Sequence, residues 1–103
     1  MADIQQLLQL GQQMQGRLQQ LQADLADRLV EVATGGGLVR VQADGRGMIR
    51  SVEIAAEAFA QRDAELLSDL ILSAIAEAQR RAAETAQAEM RKVQGGLPFL
   101  PGL

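Results

Sequence analysis

Apolar residues open the chain at helical spacing. Ile4, Leu7, Met14, Leu18, Leu21 and Leu25 fall on alternating three- and four-residue steps, with Gly11 filling the one gap, so residues 3–28 read as an amphipathic helix. Asp3 followed by Gln6 resembles a capping box and sets its start. Nine of the chain's fourteen glutamines lie between Gln5 and Gln22, so the face opposite the apolar stripe is neutral and polar: a solvated surface, or a hydrogen-bonding one for a polymer or partner. Gly11 and Gly16 each cost about 1 kcal/mol relative to alanine, so this helix must lean on a neighbour.

The period then changes from helical to alternating. Val30 and Val32 share one face of Leu29–Thr34; Val39, Val41 and Ala43 share one face of Leu38–Asp44; Met48, Val52 and Ile54 share one face of Met48–Ile54. Gly35-Gly36-Gly37 and Asp44-Gly45-Arg46-Gly47 separate these segments and are short enough to force antiparallel hairpins. A three-stranded sheet apolar on one face needs a helical cover on that side, which makes the fold class α+β.

Residues 55–62 read as a connecting turn of helix, and Asp63 as the N-cap of a segment of about 30 residues with Glu65 in its first turn and Arg91 and Lys92 in its last. At 1.5 Å per residue it spans roughly 45 Å, too long for a three-stranded sheet to cover, so its distal half projects. Around its first half, Leu66, Leu67, Leu70, Ile71, Leu72 and Ile75 occupy an arc of about 240°, where a helix resting on one surface needs little more than about 100°. Two apolar surfaces are implied. One covers the sheet; the other is buried against a second copy, which makes these six residues the expected homodimer interface, or is covered by the long N-terminal helix of a monomer. Residues 95–103, with Pro98 and Pro101, read as a flexible Gly/Pro tail following a single domain at 1–94, or as a segment that docks Leu97, Phe99 or Leu100 on an apolar groove.

Composition narrows the chemistry. With 103 residues and no Cys, His, Trp or Tyr, the chain lacks thiol nucleophiles, His bases and Cys/His zinc sites, and its three serines and single lysine fall into no catalytic spacing, so no enzyme, cofactor or small-molecule substrate is expected. Glu65 and Asp69 share a helical face without a cleft or partners and read as solvated. The triple glycine lacks the Lys-Ser/Thr of a phosphate loop and opens a strand. No apolar run approaches the ~20 residues of a membrane span, and no signal peptide opens the chain, so it is expected to be cytoplasmic. The net charge of −3 is uneven: residues 29–78 carry −4, whereas residues 79–103 carry +2 through Arg80, Arg81, Arg91 and Lys92. Affinity for a polyanion depends on such local placement, not on the total.

Gln12-Gln13-Met14-Gln15, Gly35, Gly37-Leu38-Val39-Arg40-Val41, Gly45, Val52-Glu53-Ile54, Leu67-Ser68-Asp69-Leu70-Ile71, Ala74, Ala78, Gly96-Leu97-Pro98 and Pro101-Gly102, in this order and spacing, resemble the YbaB/EbfC family of bacterial nucleoid-associated proteins. The resemblance implies a tweezer-like homodimer whose projecting helices clasp duplex DNA with little sequence preference, affecting nucleoid organisation and gene expression. It places DNA contact on the first and last helices, where the matching cations are Arg17 and Arg28, and Arg80, Arg81, Arg91 and Lys92. The first helix departs from the family in carrying only Arg17 before Asp24, where several lysines are common. The acidic total and this poverty of lysine keep open a second reading, a coiled-coil-type protein-interaction scaffold without a DNA role.

Overall fold

The computed structural model describes residues 3–95, in the order α1 (Ile4–Asp27), β1 (Leu29–Thr34), β2 (Val39–Asp44), β3 (Ile49–Ile54), α2 (Ala56–Ala60) and α3 (Ala64–Gly95). The expected tail falls outside the described residues, apart from Gly95. The strands form one antiparallel sheet in the order β1-β2-β3. The first hairpin turns through Gly35, Gly36 and Gly37, all at positive φ, a conformation that side-chain-bearing residues rarely adopt.

The core is built from small side chains. Val32, Val39, Val41 and Ala43 of the sheet meet Ala74 and Ala78 of α3, with Leu67, Leu70, Ile71 and Ile75 partly buried around them. Ala74, Ala78 and Ala82 recur every fourth residue on one face and are essentially inaccessible, which lets the α3 backbone lie close to β1 and β2. Thr34 Oγ1 donates to Leu70 O at 2.9 Å, tying the helix to the end of β1. Asp63 caps α3 as expected: its Oδ1 accepts from Leu66 N at 2.9 Å. The helix then runs unbroken for 32 residues, about 48 Å at 1.5 Å per residue, and gives the chain its 72 × 24 × 16 Å outline. Among the described residues no helix is long and apolar enough to cross a membrane.

Two local expectations are corrected. Asp3 stands at the N-cap of α1 but makes no side-chain capping bond. On β3 the core face is carried by Ile49 where Met48 was expected. Between the pairs Gln42–Ser51 and Ala43–Ile49 the register shifts, leaving Arg50 as an extra residue, and this bulge reverses the parity of the strand's start. Met48 is accordingly 54% exposed.

The bulge serves the second hairpin. Asp44, buried at its base, accepts from Arg46 N (2.8 Å) and Met48 N (3.1 Å) through Oδ1, and from Arg50 Nη2 (2.8 Å) through Oδ2. Burial raises the Asp44 pKa, but these backbone and guanidinium donors outweigh it and hold the carboxyl below its ordinary value. The hairpin also docks α1: Gly45 N donates to Leu25 O at 2.8 Å, beside buried Leu21 and Leu25. A Cβ at Gly45 would sit 2.8 Å from that same oxygen. Gly45→Ala is therefore expected to cost about 1–3 kcal/mol by forcing α1 off the hairpin, read as a lowered thermal midpoint by circular dichroism. An unchanged midpoint would show that the contact is not restrictive.

Candidate nucleic-acid interface

The cations of α3 are arranged by helical geometry. At about 100° per residue, Arg80 and Arg91 differ by only about 20° in azimuth and lie roughly 16 Å apart along the axis. Both are exposed, on the side of α3 opposite buried Ala78 and Ala82. Arg81 and Lys92 repeat the same eleven-residue offset on one flank, about 100° round. The structure therefore brings four of the six expected cations onto one helix, Arg80 and Arg91 facing outward and Arg81 and Lys92 on a flank, where Arg81 Nη1 also donates to Glu31 O of β1 at 3.4 Å. Arg28 joins them from the C-terminal end of α1 through Glu89 of α3, its Nη2 lying 2.6 Å from Glu89 Oε1. Arg17 sits midway along α1, exposed, on the helix's own surface.

Most of these cations face carboxylates. Arg80 donates to Glu77 through Nη2 (2.5 Å) and Nε (2.9 Å) and to Glu84 through Nη1; Arg81 Nε reaches Glu77 at 3.1 Å. Glu89 accepts from Lys92 Nζ at 3.3 Å as well as from Arg28. Arg91 has no ion-pair partner among the described residues. The spacing of the pairs within α3, three and four residues apart, is visible in the sequence, but a segmental charge count conceals it. The cations of these pairs are at least half-exposed, so each is a pair that a phosphate can compete for.

The pairing shows in the acid–base properties. The Arg80 hydrogen bonds, aided by Arg81 and opposed by partial burial, hold the Glu77 carboxyl at about 2 against an ordinary 4.5. Glu77 and Glu84 in turn raise the Arg80 pKa above its ordinary value. A carboxylate depressed on folding contributes stability that is present above its unfolded value and is lost as the pH falls through its folded value. The thermal midpoint should therefore fall between about pH 4.5 and about pH 2, less steeply in Glu77→Gln than in the parent. Equal slopes in melts across that window would contradict the pairing.

Of the six expected interface residues on α3, Leu67, Leu70, Ile71 and Ile75 pack on the chain's own core cluster. Leu66 and Leu72 are left 39% and 67% exposed. Helix α3 lies over β1 and β2 and hardly touches β3, so Val52, on the same sheet face as Val41, remains 41% exposed. On α1 the apolar stripe is buried only at Leu21 and Leu25, while Ile4, Leu7 and Leu8 stand out at 61–74% exposure.

Sequence reasoning passed over Arg46. It sits at the tip of the second hairpin beside a groove of about 380 Å³ between α1, the hairpin and α3. Its only available signal was its place between two turn glycines.

Residues 1–97 match the model of the YbaB/EbfC DNA-binding family. The chain is 42% identical over 97 residues to a nucleoid-associated protein of Ruminiclostridium cellulolyticum, covering 94% of this chain and 84% of that protein. It is 40% identical over 95 residues to a nucleoid-associated protein of Chloroflexus aurantiacus, covering 92% and 95%. A crystal structure of an uncharacterized Helicobacter pylori protein superposes with a TM-score of 0.81 at 23% identity, covering 89% of this chain and 97% of that one, a likeness of fold alone.

Proposed function

We propose, on the premise that this chain belongs to the YbaB/EbfC DNA-binding family, which is not an enzyme family, that it is a nucleoid-associated homodimer binding duplex DNA with little sequence preference. The observation that carries this reading is the pair Arg80 and Arg91, exposed together on the side of α3 turned away from the core. Arg81 and Lys92 on the adjoining flank, with Arg17 and Arg28 of α1, complete the cationic set. The mechanism is electrostatic: guanidinium and ammonium groups replace condensed counterions along the phosphates. Phosphate contacts position a protein without reading sequence, which fits binding with little sequence preference. Such binding organises the nucleoid and affects gene expression broadly.

Dimerisation supplies the second arm. Leu72 and Val52, with Leu66 elsewhere on α3, belong to the apolar surface left exposed once α3 has covered β1 and β2, and a second copy is the commonest way to bury such a surface. Exposed Ile4, Leu7 and Leu8 favour a second reading, a scaffold whose α1 captures a protein. Gel-shift titration on several unrelated duplexes separates the two. Affinities within a few-fold of one another support the DNA reading. No shift on any duplex, with one stoichiometric protein partner surviving nuclease treatment, supports the scaffold.

A further inference from the structure

The groove beside Arg46 differs in charge from the rest of the cationic surface. It is lined by Gln22 and Leu25 of α1, Gly45, Arg46 and Gly47 of the hairpin, and Gln79, Ala83 and Ala86 of α3, with no carboxylate among them. The nearest acid in sequence, Asp44, is already engaged: Oδ1 by the Arg46 and Met48 amides and Oδ2 by Arg50. The Arg46 guanidinium has no ion-pair partner among the described residues. The backbone that carries it is fixed, by the 2.8 Å bond from Arg46 N to Asp44 and by Gln79 Nε2 donating to Gly47 O at 3.2 Å. Alanine and glycine on much of the remaining wall leave room for a tetrahedral anion to come close, and Gln22, also lining the groove, is neutral. The α3 wall lies about 100° round the helix from the Arg80–Arg91 face, on the flank opposite Arg81 and Lys92.

We infer that Arg46 and this groove form an additional phosphate-binding site, which takes a backbone phosphodiester of the same duplex that lies along Arg80 and Arg91. The inference rests on the duplex-binding reading proposed above. Arg80, Arg81, Arg28 and Lys92 must give up a carboxylate to engage a phosphate. Arg46 gives up only water, so it contributes at salt concentrations where the paired cations are outcompeted.

The test compares the full chain with Arg46→Gln and Arg46→Lys in duplex titrations at several salt concentrations. Glutamine removes one neutralised phosphate per protomer, so the slope of log affinity against log salt should become shallower by about 0.9 per protomer, roughly 1.8 for a dimer. Affinity should fall about tenfold or more, and lysine should restore most of the slope. Because the side chain is exposed and the Asp44 bonds use backbone amides, the thermal midpoint of both variants should stay at the parent value. A parent that binds duplex while Arg46→Gln matches it in affinity and slope overturns this site alone. A parent that binds no duplex overturns the duplex-binding reading and the site with it.

Discussion

Replacing Glu77 by glutamine should raise duplex affinity roughly tenfold at low salt, with the salt slope steepened by about 0.9 for each phosphate gained. Glu77 contacts both Arg80 and Arg81, so a single carboxylate occupies two of the four α3 cations. A phosphate approaching this face must displace that carboxylate and lie beside its charge. Glutamine keeps the size and a hydrogen-bonding oxygen but removes the competition and repulsion that Glu77 contributes, leaving only Glu84 paired with Arg80. The expected sign is the reverse of what a purely structural ion pair gives, since its loss would loosen the helix and weaken binding. Titration of parent and variant on one duplex decides the matter: affinity equal to or below the parent's would contradict a role for Arg80 and Arg81 in holding DNA.

The double substitution Leu72→Glu with Val52→Glu should convert a dimer of twice 11.1 kDa into a monomer in light scattering, and weaken DNA binding with it. A folded monomer would leave Leu72 at 67% and Val52 at 41% exposure, with Leu66 at 39% elsewhere on α3, on a core whose largest fully buried apolar side chains are valines. So small a core gives little stability on its own. Burying a leucine contributes about 1.5–3 kcal/mol, and two-fold symmetry counts each one twice. A carboxylate at the same place must instead be desolvated without a partner. Because both positions are already exposed in the single chain, the protomer should keep its helical circular-dichroism signal. A scattering mass unchanged from the parent's would contradict this interface.

Much of this fold was legible in the residue pattern because each element carries its own period. The two hairpins were marked by glycine-rich turns, and the long helix by Asp63 at one end and basic residues at the other. The errors fell where tertiary contacts override local pattern. Simple alternation puts Met48 on the core face because it cannot register a bulge, here at Arg50, which pairs with Asp44 across the turn. The apolar arc of α3 is wider than one flat surface needs, yet most of it wraps the chain's own sheet, because Ala74, Ala78 and Ala82 let the helix sink close enough to bury its flanks. The stripe on α1 is legible as a helix, but along its outer half Ile4, Leu7 and Leu8 stay exposed among the described residues. In the cationic site the residue types were visible and their pairing was underweighted. Glu77, Glu84 and Glu89 stand three or four residues from Arg80, Arg81 or Lys92, and on a helix that spacing is contact. Arg46 was missed because its isolation from carboxylates depends on Asp44 being engaged elsewhere, which only the folded hairpin reveals.

The central claim is that exposed cations on α3 hold the phosphates of a duplex, and the salt dependence of binding tests it most directly. A dimer neutralising about six phosphates should lose affinity with rising salt at a log–log slope near −5, on any duplex of sufficient length. Reversal of Arg80, Arg81, Arg91 and Lys92 to glutamate should abolish that binding. A slope near zero in the parent, or binding that survives the reversal, would contradict the account.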